Sequence, residues 1–182
     1  SHFGGTRNGM AISWPARITD RGGIRTQFHH VIDVVPTILD LIGIPQPTMV
    51  NGIAQRPMDG TSMAYTLPRE NAERPSTRLT QYFEILGYRA IYHDGWIAST
   101  TPPVAPWISV TEPRPADVMN GYRWELYNLA DNPTQLLSRD LAAAQPDRLR
   151  SMQELFTMEA TRNQVFPLNN SITAMIAPRP GP

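Results

Sequence analysis

The chain has 182 residues, 41% of them hydrophobic, with sixteen basic and sixteen acidic side chains that cancel to a formal net charge of zero. That length suits one core burying roughly 70% of the unfolded surface, and the balanced charge gives no electrostatic footprint for nucleic acid or an anionic membrane. There is no cysteine and no lysine, which excludes disulfides, thiolate metal sites, cysteine nucleophiles, Schiff bases and any lysine clamp on an anion from this chain.

Ser1-His2-Phe3-Gly4-Gly5-Thr6-Arg7-Asn8-Gly9 is a glycine-rich loop, and Met10-Ala11-Ile12-Ser13-Trp14-Pro15 reads as a short buried strand after it. Such a loop-to-strand step belongs inside a large α/β domain, so the expectation is a chain that starts within a motif. Thr19-Asp20-Arg21-Gly22-Gly23 is a polar turn. A helix is then predicted from Asp33 as N-cap, with Pro36 in the first turn where proline is tolerated. Val34, Val35, Ile38, Leu41 and Ile42 form its apolar stripe, expected to pack on a sheet. Gly43 supplies the left-handed residue after it, and Pro45 forbids continuation.

Residues 44–60 read as a surface loop, rich in proline, glycine and polar residues. Thr61 to Leu67 is a short helical turn ending at Pro68, and 69–77 a charged linker. Alternating runs follow at 79–84, 88–93 and 96–100. Gly87 and Asp94-Gly95 separate them, and Asp-Gly between strands is a strong hairpin signal. Residues 101–121, with their prolines, form a long excursion of a kind that is usually functional or partly mobile. Trp124 to Leu129 returns as a fourth strand, closed by the turn Asp131-Asn132-Pro133. A last helix starts at Pro146, a good first helical residue, and runs to about Arg162 with Leu149, Met152, Phe156 and Ala160 on one side. The tail beyond Phe166 reads as an extended strap or a disordered segment. No apolar run approaches the ~20 residues of a membrane-spanning helix.

These segments, in this order, carry a resemblance. Gly4-Gly5-Thr6-Arg7 followed by Ser13-Trp14-Pro15 is similar to a sulfatase segment in which Gly-Gly-x-Arg precedes a strand ending in Trp-Pro. The run from His30 to Ile44 resembles the helix that follows it in that family. Asp59-Gly60-Thr61-Ser62 resembles the next loop, His93-Asp94-Gly95-Trp96 the hairpin, and Leu126-Tyr127-Asn128-Leu129-Ala130-Asp131-Asn132-Pro133 the Leu-Tyr-Asp-Leu-x-x-Asp-Pro run near the sulfatase C-terminus. The chain thus resembles the C-terminal third of an arylsulfatase over residues 1 to about 168. The resemblance implies an α+β chain forming the C-terminal part of an alkaline-phosphatase-like α/β fold. Residues 1–68 would be the last strand and helix of the large domain, 69–168 a small domain with a four-stranded antiparallel sheet and a helix, and 169–182 a tail.

The family's mechanism, hydrolysis of sulfate esters, uses a formylglycine made from Cys or Ser in Cys/Ser-x-Pro-x-Arg. A Ca²⁺ ion and Lys and His side chains stabilise the sulfate oxygens. The resemblance places the nucleophile, the metal ligands and the lysines in an N-terminal part, which is the implied partner of this chain. No catalytic or metal-ligating residue is therefore assigned here. The cation site needs an Asp-Asp pair, which the sequence lacks, and Asp131-Asn132 is ordinary turn chemistry. Ser13-Trp14-Pro15-Ala16-Arg17 matches Ser-x-Pro-x-Arg literally. Asp20 and Gly22, however, replace the Leu and Thr that continue the signature, so a strand end and a proline-led turn is the better reading. His2, Gly4, Gly5 and Arg7 are the candidate substrate-pocket rim, with Arg7 also a candidate anchor of the loop. His29 and His30 precede the helix on different sides, one to cap it or line a crevice, and His93 sits at a hairpin tip. The expected function is a structural and pocket-rim portion of an arylsulfatase, inactive alone. The alternatives are a self-standing binding module on the same fold, or a related phosphohydrolase. Self-association through an exposed sheet edge is expected, and a periplasmic or cytoplasmic parent is left open.

Overall fold

Residues 7–101, 117, 119–130 and 139–168 are described by the computed structural model, and the chain divides between Leu79 and Thr80 into two units. The first unit, Gly9–Leu79, is held mainly by polar contacts. Its helix α1 (Val34–Ile42) is entered through a 3-10 turn, Val31–Asp33, and ends at Gly43, whose φ of 69° is the left-handed conformation that closes helices. The helix starts where predicted, with Asp33 at the N-cap position, preceded by the 3-10 turn. The Asp33 side chain makes no cap bond to α1, however; its carboxylate reaches back to accept the His30 N–H at 2.9 Å.

The buried edge of α1 is also not the predicted one. Asp33 and Thr37 face inward, while Val31, Val35, Ile38 and Ile42 are 50–74% exposed. Thr37 Oγ1 donates to the Asp33 carbonyl and accepts the Met63 N–H, at 2.6 and 2.9 Å. This polar stitching fixes the helix to the turn Ala64–Thr66 and leaves Val35, Ile38 and Ile42 of the predicted stripe outward, with Val34 and Leu41 half-buried, so within this unit α1 is not a helix packed on a sheet. Nor is the expected strand Met10–Trp14 formed. A strand needs a hydrogen-bonding neighbour, and the two short strands described in this unit pair with each other. Pro15–Arg17 does form the expected turn, with Arg17 N–H and Ile18 N–H on the Trp14 carbonyl.

Those two strands, β1 (Met49–Val50) and β2 (Ile53–Ala54), make a small hairpin inside the predicted loop. Asn51 and Gly52 carry its turn with φ of 49° and 79°, the positive pair that a type I′ turn requires. Extended residues before α1 are laced to the segment that follows it. Arg25 bonds Asp20 and the Leu67 carbonyl, and the Gln27 amide donates to the carbonyls of Asn71, Ala72 and Arg74.

From Thr80 onward the chain has its own apolar core. The antiparallel meander β3 (Thr80–Ile85), β4 (Tyr88–His93), β5 (Trp96–Thr101) and β6 (Arg123–Asn128) forms in chain order. Leu86-Gly87 and Asp94-Gly95 turn the first two hairpins with positive φ at both residues. Register brings Ile91, Ala98 and Leu126 side by side. Helix α2 (Pro146–Arg162), with Pro146 in its first turn, lays Met152, Phe156 and Ala160 over that row. Leu149 joins the cluster partly buried, and the Trp124 and Phe156 rings meet edge-on at 5.8 Å. At roughly 1.5–3 kcal/mol per buried large apolar side chain, this layer of sheet and helix holds the second unit together. The α+β class, the four-stranded antiparallel sheet and the C-terminal helix are thus as expected. His2, Gly4, Gly5, most of the 101–121 excursion, the Asp131-Asn132-Pro133 turn and the tail from residue 169 lie outside the described residues.

Candidate functional site

In the first unit, polar side chains converge on Asp33. Its carboxylate is fully buried and accepts from Arg78 Nε at 2.8 and 3.0 Å and from Arg78 Nη2. It also accepts from the backbone N–H of His30 and, at 2.7 Å, of Thr61. Burial works against the ionised form, but the bonds from His29, Arg78, His30 and Thr61 outweigh it, so the carboxyl is held well below the usual carboxylate range. The Arg78 fork reaches one step further and donates to the Asp59 carbonyl at 3.0 Å. One carboxylate therefore joins the start of α1, the Asp59-Gly60-Thr61 loop and the segment ending the unit.

Gly60 is where that loop presses on the helix entrance. A Cβ there would lie 2.1 Å from the Ile32 carbonyl oxygen and 2.8 Å from Pro36 Cγ. Ser62 Oγ ties the next turn to Asp40 at 2.6 Å. Two of the sequence segments quoted above, the α1 run and Asp59-Gly60-Thr61-Ser62, thus meet at one buried charge.

His29 completes the cluster. Nδ1 lies 3.2 Å from Asp33 and Nε2 3.2 Å from the Tyr65 hydroxyl. Asp33 accepts only, which puts the hydrogen on Nδ1. The Tyr65 oxygen also accepts the Thr77 N–H at 3.0 Å. Both ring nitrogens of His29 are thus engaged within the cluster, one on Asp33 and one on Tyr65. The arrangement ties the helix entrance to the Tyr65 turn and the Thr77 segment. His30 lies beside it, and burial and the Arg78 charge push its imidazole below the ordinary value against the pull of Asp33. The expected division of roles holds in part: His29 bridges Asp33 and Tyr65, and the His30 backbone N–H meets the Asp33 carboxylate.

The remaining candidates are scattered. Arg7 is exposed. His93 at the end of β4 meets Thr80 Oγ1 at 2.8 Å, a cross-strand contact. Arg17 stacks on Trp14 at 5.3 Å, so both lie in a plain turn where the literal Ser-x-Pro-x-Arg match falls. In the second unit Tyr127 donates to Glu125 at 2.6 Å, and burial with this bond raises the phenol above its ordinary value. Among the described residues no group of three or more His, Asp or Glu side chains converges to hold a cation. Arg78 was not singled out in the sequence, because its partner Asp33 is 45 residues away and a linker arginine carries no local signal.

No protein-family model matches the chain. Among solved structures, the chain is similar to one from Bacteroides thetaiotaomicron, described in terms of the metabolism of multiple glycosaminoglycans and labelled "sulf". The match has a TM-score of 0.46 and 19% identity, covers 71% of this chain and 24% of the other, and so spans about a quarter of that structure's length.

Proposed function

We propose that this chain is a scaffold portion of an arylsulfatase-type sulfuric ester hydrolase with an alkaline-phosphatase-like fold, and that it is inactive by itself. The observation that carries the reading is the meeting of the α1 run and Asp59-Gly60-Thr61-Ser62 at Asp33. These are two of the segments through which the sequence resembles sulfatases, and a buried charge linking them is a reason for both to keep their residues. The antiparallel sheet and terminal helix agree with the small domain which that resemblance implies.

The formylglycine and Ca²⁺ of that chemistry do not fit the residues of this chain. There is no cysteine, the literal serine signature sits in the Pro15–Arg17 turn, and the described residues offer no converging acidic set. No catalytic step is derived through them. In this reading the N-terminal part of the enzyme supplies the nucleophile, the cation site and the lysines, and is the partner of the exposed α1 stripe. His2, Gly4, Gly5 and Arg7 border its sulfate pocket.

Hydrolysis of an aryl sulfate by the purified chain with added Ca²⁺ tests the inactivity, and turnover well above background would sink it. The sequence encoded upstream tests the family: a lysine a few residues before Ser1 and a Cys/Ser-x-Pro-x-Arg far earlier are expected, and their absence overturns the assignment. One observation favours the stand-alone binding module as a second reading, namely that the unit from Thr80 onward has a core of its own. A cooperative melt of a monomer in light scattering supports that module, and aggregation supports the dependent portion.

A further inference from the structure

The hairpin β1–β2 stands apart from the rest of its unit. Residues 43–59 are exposed throughout, and among the described residues no other element packs against either strand. Each strand is two residues long, and a two-stranded hairpin with nothing behind it is marginal in water. Val50 pairs with Ile53 beneath the turn, and the Gln55 N–H donates to the Thr48 carbonyl at 2.9 Å. The turn itself is Asn51-Gly52, with positive φ at both residues. Neither the Asn51 carboxamide nor the Gly52 N–H makes a hydrogen bond among the described residues. Space around Gly52 is open, since a Cβ there would meet nothing within 4 Å.

Those two groups can react with each other. The carboxamide carbon of an asparagine is an electrophile, and the nitrogen of the next residue closes a five-membered ring on it. A glycine in that next position has no side chain to block the approach. The sequence has two further Asn-Gly pairs. Asn8-Gly9 adjoins undescribed residues. At Asn120-Gly121 both reacting groups are held by Asp117. Its carbonyl accepts the Gly121 N–H at 2.8 Å, and its carboxylate accepts from Asn120 Nδ2 at 2.9 Å. Asn51-Gly52 carries neither restraint, and its short ladder opens readily because few contacts oppose local unfolding.

We infer that Asn51-Gly52 is a self-modifying site, at which the chain loses the Asn51 amide nitrogen as ammonia. The Gly52 nitrogen gives its proton to solvent and bonds to Asn51 Cγ. The bond from Cγ to Nδ2 breaks, the nitrogen leaves with a proton taken from water, and a cyclic imide joins the two residues. Water then opens the ring. Attack at Cγ leaves aspartate in an ordinary backbone, and attack at the main-chain carbonyl leaves isoaspartate, with the chain running through Cβ and Cγ. Aspartate keeps the turn, because it tolerates the left-handed region as asparagine does. Isoaspartate lengthens a two-residue turn by one atom, so the Val50–Ile53 register is lost. Either product adds a negative charge to a segment in which Arg56 and Asp59 are otherwise paired with each other at 3.6 Å. The site lies outside the segments through which the chain resembles sulfatases, so it stands independently of that reading.

The whole chain is held at neutral pH in ¹⁸O-labelled water for days, digested with trypsin in ordinary water, and mapped by mass spectrometry. Cleavage after arginine, which spares Arg56-Pro57 and Arg114-Pro115, puts Asn51 and Asn120 on separate peptides with no other asparagine in either. The expected result is ¹⁸O-labelled aspartate and isoaspartate at position 51, separated by chromatography. They should accumulate roughly 5- to 10-fold faster than at position 120, the factor that one hydrogen bond on a reacting group provides. In urea, where both turns are unfolded, the two rates should converge. A rate at Asn51 no faster than at Asn120 in the folded chain overturns the site. So does a ratio that persists in urea, which would assign the difference to neighbouring residues and not to the hairpin. Aspartate without isoaspartate overturns it as well, since direct hydrolysis by water forms no ring.

Discussion

Asp33 shows how much one side chain can decide. It takes bonds from residues 3, 28 and 45 positions away, so its loss is felt in three segments together. Asp33→Asn keeps the shape but leaves the Arg78 guanidinium buried without its charge partner, which costs about 3–5 kcal/mol. Urea denaturation at neutral pH reads this, and a variant as stable as the wild type would show the ion pair to be idle. The pH dependence has a definite sign. A carboxyl with a depressed folded-state pKa binds protons less readily folded than unfolded, so its contribution is complete above the unfolded value of about 3.9 and is lost as pH falls below it. Wild-type stability should therefore drop through that acid range, and Asp33→Asn should show a shallower drop. Gly60 belongs to the same cluster. Gly60→Ala drives a methyl into the Ile32 carbonyl at 2.1 Å, backbone that cannot swing aside, and a loss of about 3 kcal/mol is expected in the same assay.

Among the elements, those with strictly local causes were legible. Period-2 alternation and Asp94-Gly95 placed the meander within a residue or two, and the Pro146 start with the 149, 152, 156, 160 spacing placed α2. The α1 segment was legible as a helix but not in its facing. Its apolar stripe argued for an inward hydrophobic side, whereas hydrogen bonds from Thr61, Met63 and Arg78 turn the Asp33 and Thr37 edge inward. Those partners are distant in sequence, so no periodicity announces them. Asn51-Gly52 is a strong turn signal for the β1–β2 hairpin, but its proline-rich surroundings read as loop. Three hairpins among the described residues use positive φ at both turn residues, at 51–52, 86–87 and 94–95. Two have Asn or Asp first, while the middle one has Leu86 at φ 54°. A leucine in the left-handed region costs about 1–2 kcal/mol, so Leu86→Asn should stabilise the β3–β4 hairpin by about 0.5–1 kcal/mol. A melting temperature a few degrees higher checks this, and a lower one would mean that the Leu86 side chain contributes more than its backbone costs.

At the scale of the whole molecule, the unusual quantity is apolar surface left in water. Val31, Val35, Ile38 and Ile42 recur every three or four residues along one helical face, and Met49, Val50 and Ile53 of the small hairpin are exposed as well. Single exposed apolar residues are ordinary, but a stripe is a contact surface. In the isolated chain the only partner present is another copy, so association should rise with concentration and with sulfate, which strengthens apolar burial. The double substitution Val35→Glu with Ile42→Lys separates the two roles the stripe could have. Both positions are more than half exposed and outside the Asp33 cluster, so the folding free energy should change by no more than about 0.5 kcal/mol per site. Light scattering over a concentration series should then give a constant small mass where the wild type grows. A variant that no longer melts cooperatively would mean that the stripe is needed for this chain's own fold. A folded variant that still associates would move the contact elsewhere on the surface.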